Sequence, residues 1–153
     1  MKSFKKILFP VDLSEVSPML APWVRDLAVI FAAEVHLLFV ARRLEHFTVV
    51  YVADQSIQSF EQQIVQGAEQ SLDEFVKIHF ESKGLDRCVT RVVQGDAAEE
   101  ILEYVRSEDI DMIIIGTHGR KGLERILFGS VADYVVKMST VPVLTVNPYR
   151  VSY

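Results

Sequence analysis

Two hydrophobic rhythms alternate along this chain. Short, strongly apolar runs recur over Lys6 to Val11, Val35 to Val40, Arg87 to Val93, Met112 to Ile115 and Val141 to Val146. These have strand length, and those with few polar interruptions read as strands buried on both faces of a parallel sheet. Between them apolar residues return at helical spacing. Leu20, Trp23, Val24, Leu27, Ala28 and Phe31 give a first helix one broad face, and Trp23 reads as a packing residue. Phe60, Ile64, Ala68, Leu72, Phe75, Val76 and His79 define the inner side of a second helix, from about Ile57 to Glu81. Ile101, Leu102 and Val105 line a third, and Val131, Val135, Val136 and Met138 a fourth.

Local signals set the boundaries. Ser17 reads as the cap of the first helix with Pro18 at its first position. Gly84 ends the second, and Asp96 with Glu99 forms a capping box at the third. The third strand carries Cys88, Thr90 and Arg91, which suits a sheet edge better than a buried centre. Strand–helix alternation throughout implies right-handed crossovers and a three-layer α/β/α sandwich around a five-stranded parallel sheet. The strand order 3-2-1-4-5 would bring Asp12 and Gly116 to neighbouring carboxyl ends, the crevice where open α/β sheets bind ligands. Only 41–56 fits no element. Its Phe47, Val49, Tyr51 and Val52 would suit an extra strand, a lid or a contact surface.

Composition narrows the chemistry. The 153 residues make one domain, half of them hydrophobic and 24% charged, which excludes a disordered chain. A net charge of −5 argues against nucleic acid or an acidic membrane as partner, so an anionic ligand must be met by local groups. Cys88 is the single cysteine, which excludes an intrachain disulfide and a cysteine-based metal cluster. The longest apolar stretch, Leu27 to Val40, is broken by Glu34 and His36 and falls short of the ~20 residues that span a bilayer. Lys2, Lys5 and Lys6 before Ile7 imitate a secretory signal that Pro10 and Asp12 cut short. The expected location is cytoplasmic. His79 has Phe75 and Lys83 at i±4 and reads as a core-edge histidine, and Cys88 as a small strand side chain rather than a nucleophile.

The chemistry-bearing stretch is Asp111 to Val146. Gly116 closes a buried strand, glycines return at 119, 122 and 129, and Gly129-Ser130 stands where the fourth helix begins. Small residues let backbone N–H groups converge on a phosphate, and a helix N-terminus adds partial positive charge. Ser130 and Asp133 also stand in capping-box spacing, which would direct the Ser130 hydroxyl towards the Asp133 N–H. Asp12 has two readings: a turn acid capping Ser14 or its neighbours, or a ligand-facing residue past a buried strand.

Gly116-Thr117-His118-Gly119, nine further residues and Gly129-Ser130 resemble the G-x₂-G-x₉-G-(S/T) signature of the ATP-binding branch of the universal stress protein family. The similarity extends through Ile7 to Asp12, Val35 to Val40, Val93-Gln94-Gly95 and Val141 to Val146, which is essentially the whole chain outside 41–56. The resemblance implies an adenine nucleotide alpha hydrolase-like fold that binds ATP. By the same resemblance Pro10, Val11 and Asp12 line the adenine–ribose side, and Val40 offers backbone groups to the adenine edge. Gly116 lies by the ribose, Gly119, Gly129, Ser130 and Val131 surround the phosphates, and Arg120 falls within the phosphate loop. Lys121 and Arg125 are candidate countercharges, and His118 is loop structure or a ligand contact. Mg2+ or Mn2+ would bind through phosphate and water more than through protein. The resemblance also implies a homodimer through the last strand, whose edge is apolar with no lysine to block pairing. Should the tail from Asn147 to Tyr153 fold over that edge, the protein would be a monomer.

Other phosphate-binding and catalytic patterns fail. Gly122 is followed by Leu123, not by the Lys-(Ser/Thr) of a Walker A loop. Pro10 to Ser17 lacks the glycines of a dinucleotide fingerprint, and Gln94-Gly95 replaces a receiver domain's acceptor aspartate. A Gly-x-Ser-x-Gly elbow is absent. Three functions remain: a nucleotide-responsive stress or signalling protein with little turnover, a slow metal-dependent ATP hydrolase, and a nucleotide-independent dimer that binds an unidentified protein partner.

Overall fold

The computed structural model describes residues 3–43, 54–118 and 129–152. Its elements run β1 (Lys6–Pro10), α1 (Val16–Phe31), β2 (Glu34–Ala41), α2 (Asp54–His79), a 3-10 turn (Glu81–Lys83), β3 (Cys88–Gln94), α3 (Ala97–Ser107), β4 (Met112–Gly116), α4 (Ser130–Met138) and β5 (Val143–Val146). All strand pairs are parallel, and the order is β3-β2-β1-β4-β5, with β1 at the centre. The expected extra strand at 47–52 lies outside the described residues.

Strand alternation divides the interior into two cores. Ile7, Phe9, Val35, Leu37, Met112 and Ile114 face one side, where α1 and α2 cover them with Leu20, Val24, Ala28, Leu72 and Val76. Leu8, Leu38, Ile113 and Ile115 face the other, beneath Ile101, Leu102 and Val105 of α3 and Ala132 and Val135 of α4. Burial of each large side chain contributes roughly 1.5–3 kcal/mol, so the central strands dominate the hydrophobic stabilisation. β3 lies at the edge, as its polar residues require, and its Thr90 hydroxyl donates to Asp73 of α2 at 3.0 Å.

Three boundaries depart from the sequence rules. α1 starts at Val16, and Ser17 is not its cap. The Ser17 hydroxyl donates instead to Asp12 Oδ1 at 3.0 Å, while Ser14 Oγ receives the Val16 N–H at 3.3 Å. Pro18 is tolerated in the first turn because its missing N–H would have had no helical partner there. At α2 the inner stripe fails at its first turns: Phe60 is 52% exposed, whereas Ala68, Leu72, Phe75 and Val76 are buried. The reason is length. A 26-residue helix is about 39 Å long, whereas the eight- and seven-residue strands it packs on, β2 and β3, are about 26 and 23 Å. β5 begins at Val143 rather than Val141, because Ser139 Oγ donates to the Val141 carbonyl at 2.8 Å and accepts its N–H at 3.1 Å, holding a turn before Pro142.

Candidate functional site

β1 and β4 pair with Leu8 opposite Ile113. β1 ends at Pro10 and its parallel neighbour β4 at Gly116, so their carboxyl ends lie side by side at the point where chain order reverses. Val11 is anchored by its N–H to the Leu38 carbonyl at 2.9 Å. Asp12 Oδ1 receives the Ser14 N–H at 3.0 Å, the Ser14 hydroxyl at 2.7 Å and the Ser17 hydroxyl at 3.0 Å. The turn-acid role is thus realised, and it fixes the Pro10-Val11-Asp12 backbone at the rim. Leu13 follows with φ 58°, a left-handed conformation that costs a side-chain residue roughly 1–2 kcal/mol. On β2, the Leu38 carbonyl points to β1. Backbone groups alternate sides along a strand, so those of Val40 point the same way, towards the rim above β1.

Thr117, which sequence reasoning passed over, holds the start of the glycine-rich stretch. Its N–H donates to the Val146 carbonyl at 2.9 Å, and its carbonyl accepts the Gly129 N–H at 2.7 Å. Its side chain, in a residue only 7% exposed, bonds His118 Nδ1 through Oγ1 at 2.8 Å. The two ends of the stretch therefore meet, and both are fastened to the sheet. A small residue inside an apolar-to-glycine transition gave no warning of this; the only signal was a hydroxyl between a buried strand and a loop. Gly116 beside it is required by space. A Cβ there would stand 3.1 Å from the His118 carbonyl oxygen and 3.1 Å from Leu20 Cδ2.

At α4 the expected capping box does not form. Gly129 is the cap residue, with no side-chain cap bond, and the Asp133 N–H is taken by the Gly129 carbonyl at 2.9 Å. The Asp133 carboxylate turns to Lys137 at 2.9 Å, which offsets a negative charge near the helix start. The first-turn N–H groups of Ser130, Val131 and Ala132 precede the first helical bond and, among the described residues, receive no side-chain cap. By contrast, α3 is capped by Asp96, whose Oδ1 accepts the Glu99 N–H at 3.1 Å. Uncapped amides with the helix dipole behind them form an anion site.

Residues Pro10, Val11, Asp12, Val40, Gly116, His118, Gly129, Ser130 and Val131 thus belong to the carboxyl-end rim of the sheet and the α4 start. Gly119, Arg120, Lys121, Gly122 and Arg125 lie outside the described residues. His118 is held on two sides, by Thr117 and by the Tyr149 ring at 5.5 Å in an edge-to-face arrangement. Among the described residues no group of three or more His, Cys, Asp or Glu side chains gathers into a metal site, and no helix is long and apolar enough to cross a membrane.

Other reactive groups sit elsewhere. Cys88 on β3 has its thiol pushed up to about 12 by burial first, then by the Glu81, Asp86 and Glu34 carboxylates. It is inert at neutral pH. His79 packs on the Phe75 ring at 4.5 Å, and its pKa is lowered by burial, then by Arg25 and Lys83. The unexpected group is His36, read beforehand only as an interruption of an apolar run. It is 2% exposed, with Nδ1 bonded to the Tyr104 hydroxyl at 2.9 Å and Nε2 to Glu34 at 2.8 Å. Both ring nitrogens are satisfied, and the network ties β2 to α3.

Known proteins share this architecture. The model of the universal stress protein family matches residues 3–147. One universal stress protein of Methanocaldococcus jannaschii is 36% identical over 144 residues, covering 94% of this chain and 82% of that protein. A second from the same archaeon is 32% identical over 156 residues, covering 94% and 95% respectively. The structure solved for that second protein superimposes with a TM-score of 0.83 over 99% of this chain and all of its own, at 31% identity. The fold is also shared by a universal stress protein solved with cAMP and by one from Archaeoglobus fulgidus solved with dAMP. Their TM-scores are 0.68 and 0.64, at 17% and 18% identity, over 96% and 94% of this chain and 99% and 98% of theirs. A five-stranded sheet in the order 3-2-1-4-5, a glycine-bounded stretch fastened by Thr117 and a family match across nearly the whole chain lead to one conclusion: the chain belongs to the universal stress protein family.

Proposed function

We propose that this chain binds an adenine nucleotide, ATP foremost, and acts as a nucleotide-responsive stress or signalling protein in the cytoplasm. The observation that carries the reading is the uncapped start of α4 at Gly129-Ser130, beside the joined carboxyl ends of β1 and β4. Three backbone N–H groups and a helix dipole there meet the phosphates locally, against a chain of net charge −5. The Ser130 hydroxyl, free of the Asp133 amide, donates to phosphate oxygen. Pro10-Val11-Asp12 and the Val40 backbone line the nucleoside, Gly116 admits the ribose, and Gly119 and Arg120 complete the phosphate loop. The relatives solved with cAMP and dAMP support an adenine ligand. Mg2+ or Mn2+ bound with the nucleotide would neutralise phosphate charge, taking its oxygens chiefly from phosphate and water.

Turnover is slow or absent in this reading. His118 is held by a hydroxyl and an aromatic ring, neither of which strengthens it as a base, and Asp12 is engaged by Ser14 and Ser17. Calorimetric titration with ATP, ADP and AMP, with and without magnesium or manganese, tests the site. Saturable binding of one nucleotide per chain is expected, and no heat at millimolar ATP would refute it. Brisk turnover lost in His118→Ala would favour the hydrolase instead.

The same chain forms a homodimer through β5. Pro142 and Val146 direct their carbonyls to β4 and Thr117, so alternation turns the backbone groups of Val143 and Thr145 off the sheet edge. Leu144 beside them is 39% exposed, and the tail's Tyr149 lies on His118. An antiparallel second copy would satisfy those edge groups and close at two subunits. Thr145→Pro deletes an outward donor and leaves the β4 ladder whole. Sedimentation equilibrium should show a wild-type dimer and a monomeric variant; a dimeric variant would move the interface elsewhere.

A further inference from the structure

Beyond β5 the chain does not leave the molecule. Asn147 gathers it into a tight turn, its Oδ1 accepting the Tyr149 N–H at 3.1 Å and its carbonyl accepting the N–H groups of Arg150 and Val151 at 3.2 Å each. The turn delivers the Tyr149 ring edge-to-face to His118, with centroids 5.5 Å apart and planes at 80°. Tyr149 remains 50% exposed, so it adds little to the core, yet it touches the first residue after Thr117. From this juxtaposition we propose that Tyr149 is a positioning residue of the ligand site: it holds the His118 imidazole so that Nε2 serves the bound phosphates as a donor. The inference rests on the nucleotide-binding reading and adds a residue and a tail segment to it.

The Thr117 hydroxyl, which can donate or accept, permits the tautomer this role requires. When it donates to Nδ1, the neutral imidazole must carry its proton on Nε2, which makes that nitrogen a hydrogen-bond donor suited to an anion. One bond to a hydroxyl fixes a nitrogen but not the ring plane. The Tyr149 edge fixes the plane, and the Asn147 turn fixes Tyr149. The tail is fastened through the same strand end that receives the Thr117 N–H at Val146, so ligand contact at His118 is coupled to the order of the C-terminal turn.

The test measures ATP affinity by calorimetry in the full-length protein and in Tyr149→Ala, Tyr149→Phe and His118→Ala. An aromatic edge contact is worth roughly a two- to tenfold change in dissociation constant. Tyr149→Ala should weaken binding by that factor with its unfolding midpoint unchanged, Tyr149→Phe should restore it, and Tyr149→Ala should have no further effect in the His118→Ala background. Wild-type affinity in Tyr149→Ala, or an equal loss in the two His118 backgrounds, would overturn the inference and leave the nucleotide reading standing. A wild-type protein that binds no nucleotide would overturn both. In every case the His118 ring proton shifts in ¹H–¹³C spectra give an independent reading. Tyr149→Ala should remove the ring-current shift, and identical His118 resonances in the two proteins would refute the contact itself.

Discussion

The same one-methyl change at two glycines of the site should have opposite effects. At Gly116 an added Cβ would lie 3.1 Å from the His118 carbonyl oxygen and 3.1 Å from Leu20 Cδ2, with Cδ1 at 3.6 Å. The carbonyl is backbone, and Leu20 is fully buried against the sheet, so neither neighbour can simply swing away. Over-filling a core of this kind costs about 1–3 kcal/mol. In a domain of this size that lowers the midpoint of thermal unfolding by roughly 2–12 °C. At Gly129 the nearest atom to a new Cβ is the Thr117 carbonyl oxygen at 3.5 Å, ordinary van der Waals contact. The backbone there is extended, at φ −63° and ψ 152°, which alanine adopts freely. Gly129→Ala should therefore leave stability within about 0.5 kcal/mol, or raise it slightly by restricting the unfolded chain. If phosphates sit at the α4 amides as proposed, it should also weaken ATP, because the methyl would stand in their approach. Urea unfolding gives the first quantity and calorimetry the second. The Leu20→Ala/Gly116→Ala pair should be less destabilised than the sum of its single changes, since one vacates what the other fills. Equal stability losses at the two glycines would refute this reasoning, as would a Gly116→Ala protein as stable as the wild type.

Tyr104→Phe removes the partner of His36 Nδ1 inside the α3 face, so urea unfolding should show a loss of about 1–3 kcal/mol; unchanged stability would mean the network is idle. Cys88 at a pKa of about 12 instead of 9.0 holds roughly a thousandfold less thiolate at pH 8, so Ellman's reagent should react only as fast as the protein opens. Because its folded pKa is raised, its contribution to stability is complete below pH 9 and is lost as pH rises towards 12. His79 has the opposite sign for a base: its folded pKa is depressed, so its contribution is complete above pH 6.5 and falls away as the pH drops through the folded value. A ¹H NMR titration should place its midpoint below 6.5, and a midpoint above that would contradict the packing on Phe75.

The strands and the sandwich of helices on both faces were legible because apolar runs and helical stripes state them directly, and the strand order followed from topology rules for a doubly wound sheet. The adjacency of β1 and β4, on which the expected nearness of Asp12 and Gly116 rested, followed from topology rules. Side-chain commitments were not. Ser17 and Ser130 both satisfied local capping rules, yet neither caps: Asp12 claims the Ser17 hydroxyl, and Asp133 turns to Lys137. The competitors were as local as the rules themselves: Asp12 is five residues before Ser17, and α4 begins one residue early, so the Gly129 carbonyl takes the Asp133 N–H and Lys137, four residues on, takes its carboxylate. Phe60 failed for a different reason, since a stripe marks a helix face but not how far the sheet beneath it extends. His36 and Thr117 were silent because a single polar residue in an apolar run declares its partner only after folding. Tyr104 and His36 are 68 residues apart, and Thr117 lies just past β4 while its partner Val146 ends β5.

The bond from the Gly129 N–H to the Thr117 carbonyl brings the two ends of the 118–128 stretch together on one base. The closure penalty of such a loop grows only with the logarithm of its length, by about 0.6 kcal/mol for a doubling. A change of length between the two therefore need not move either Thr117 or Gly129. A stretch joined at its base in this way is one that descendants of this chain can lengthen, shorten or rewrite without having to relearn how to fold.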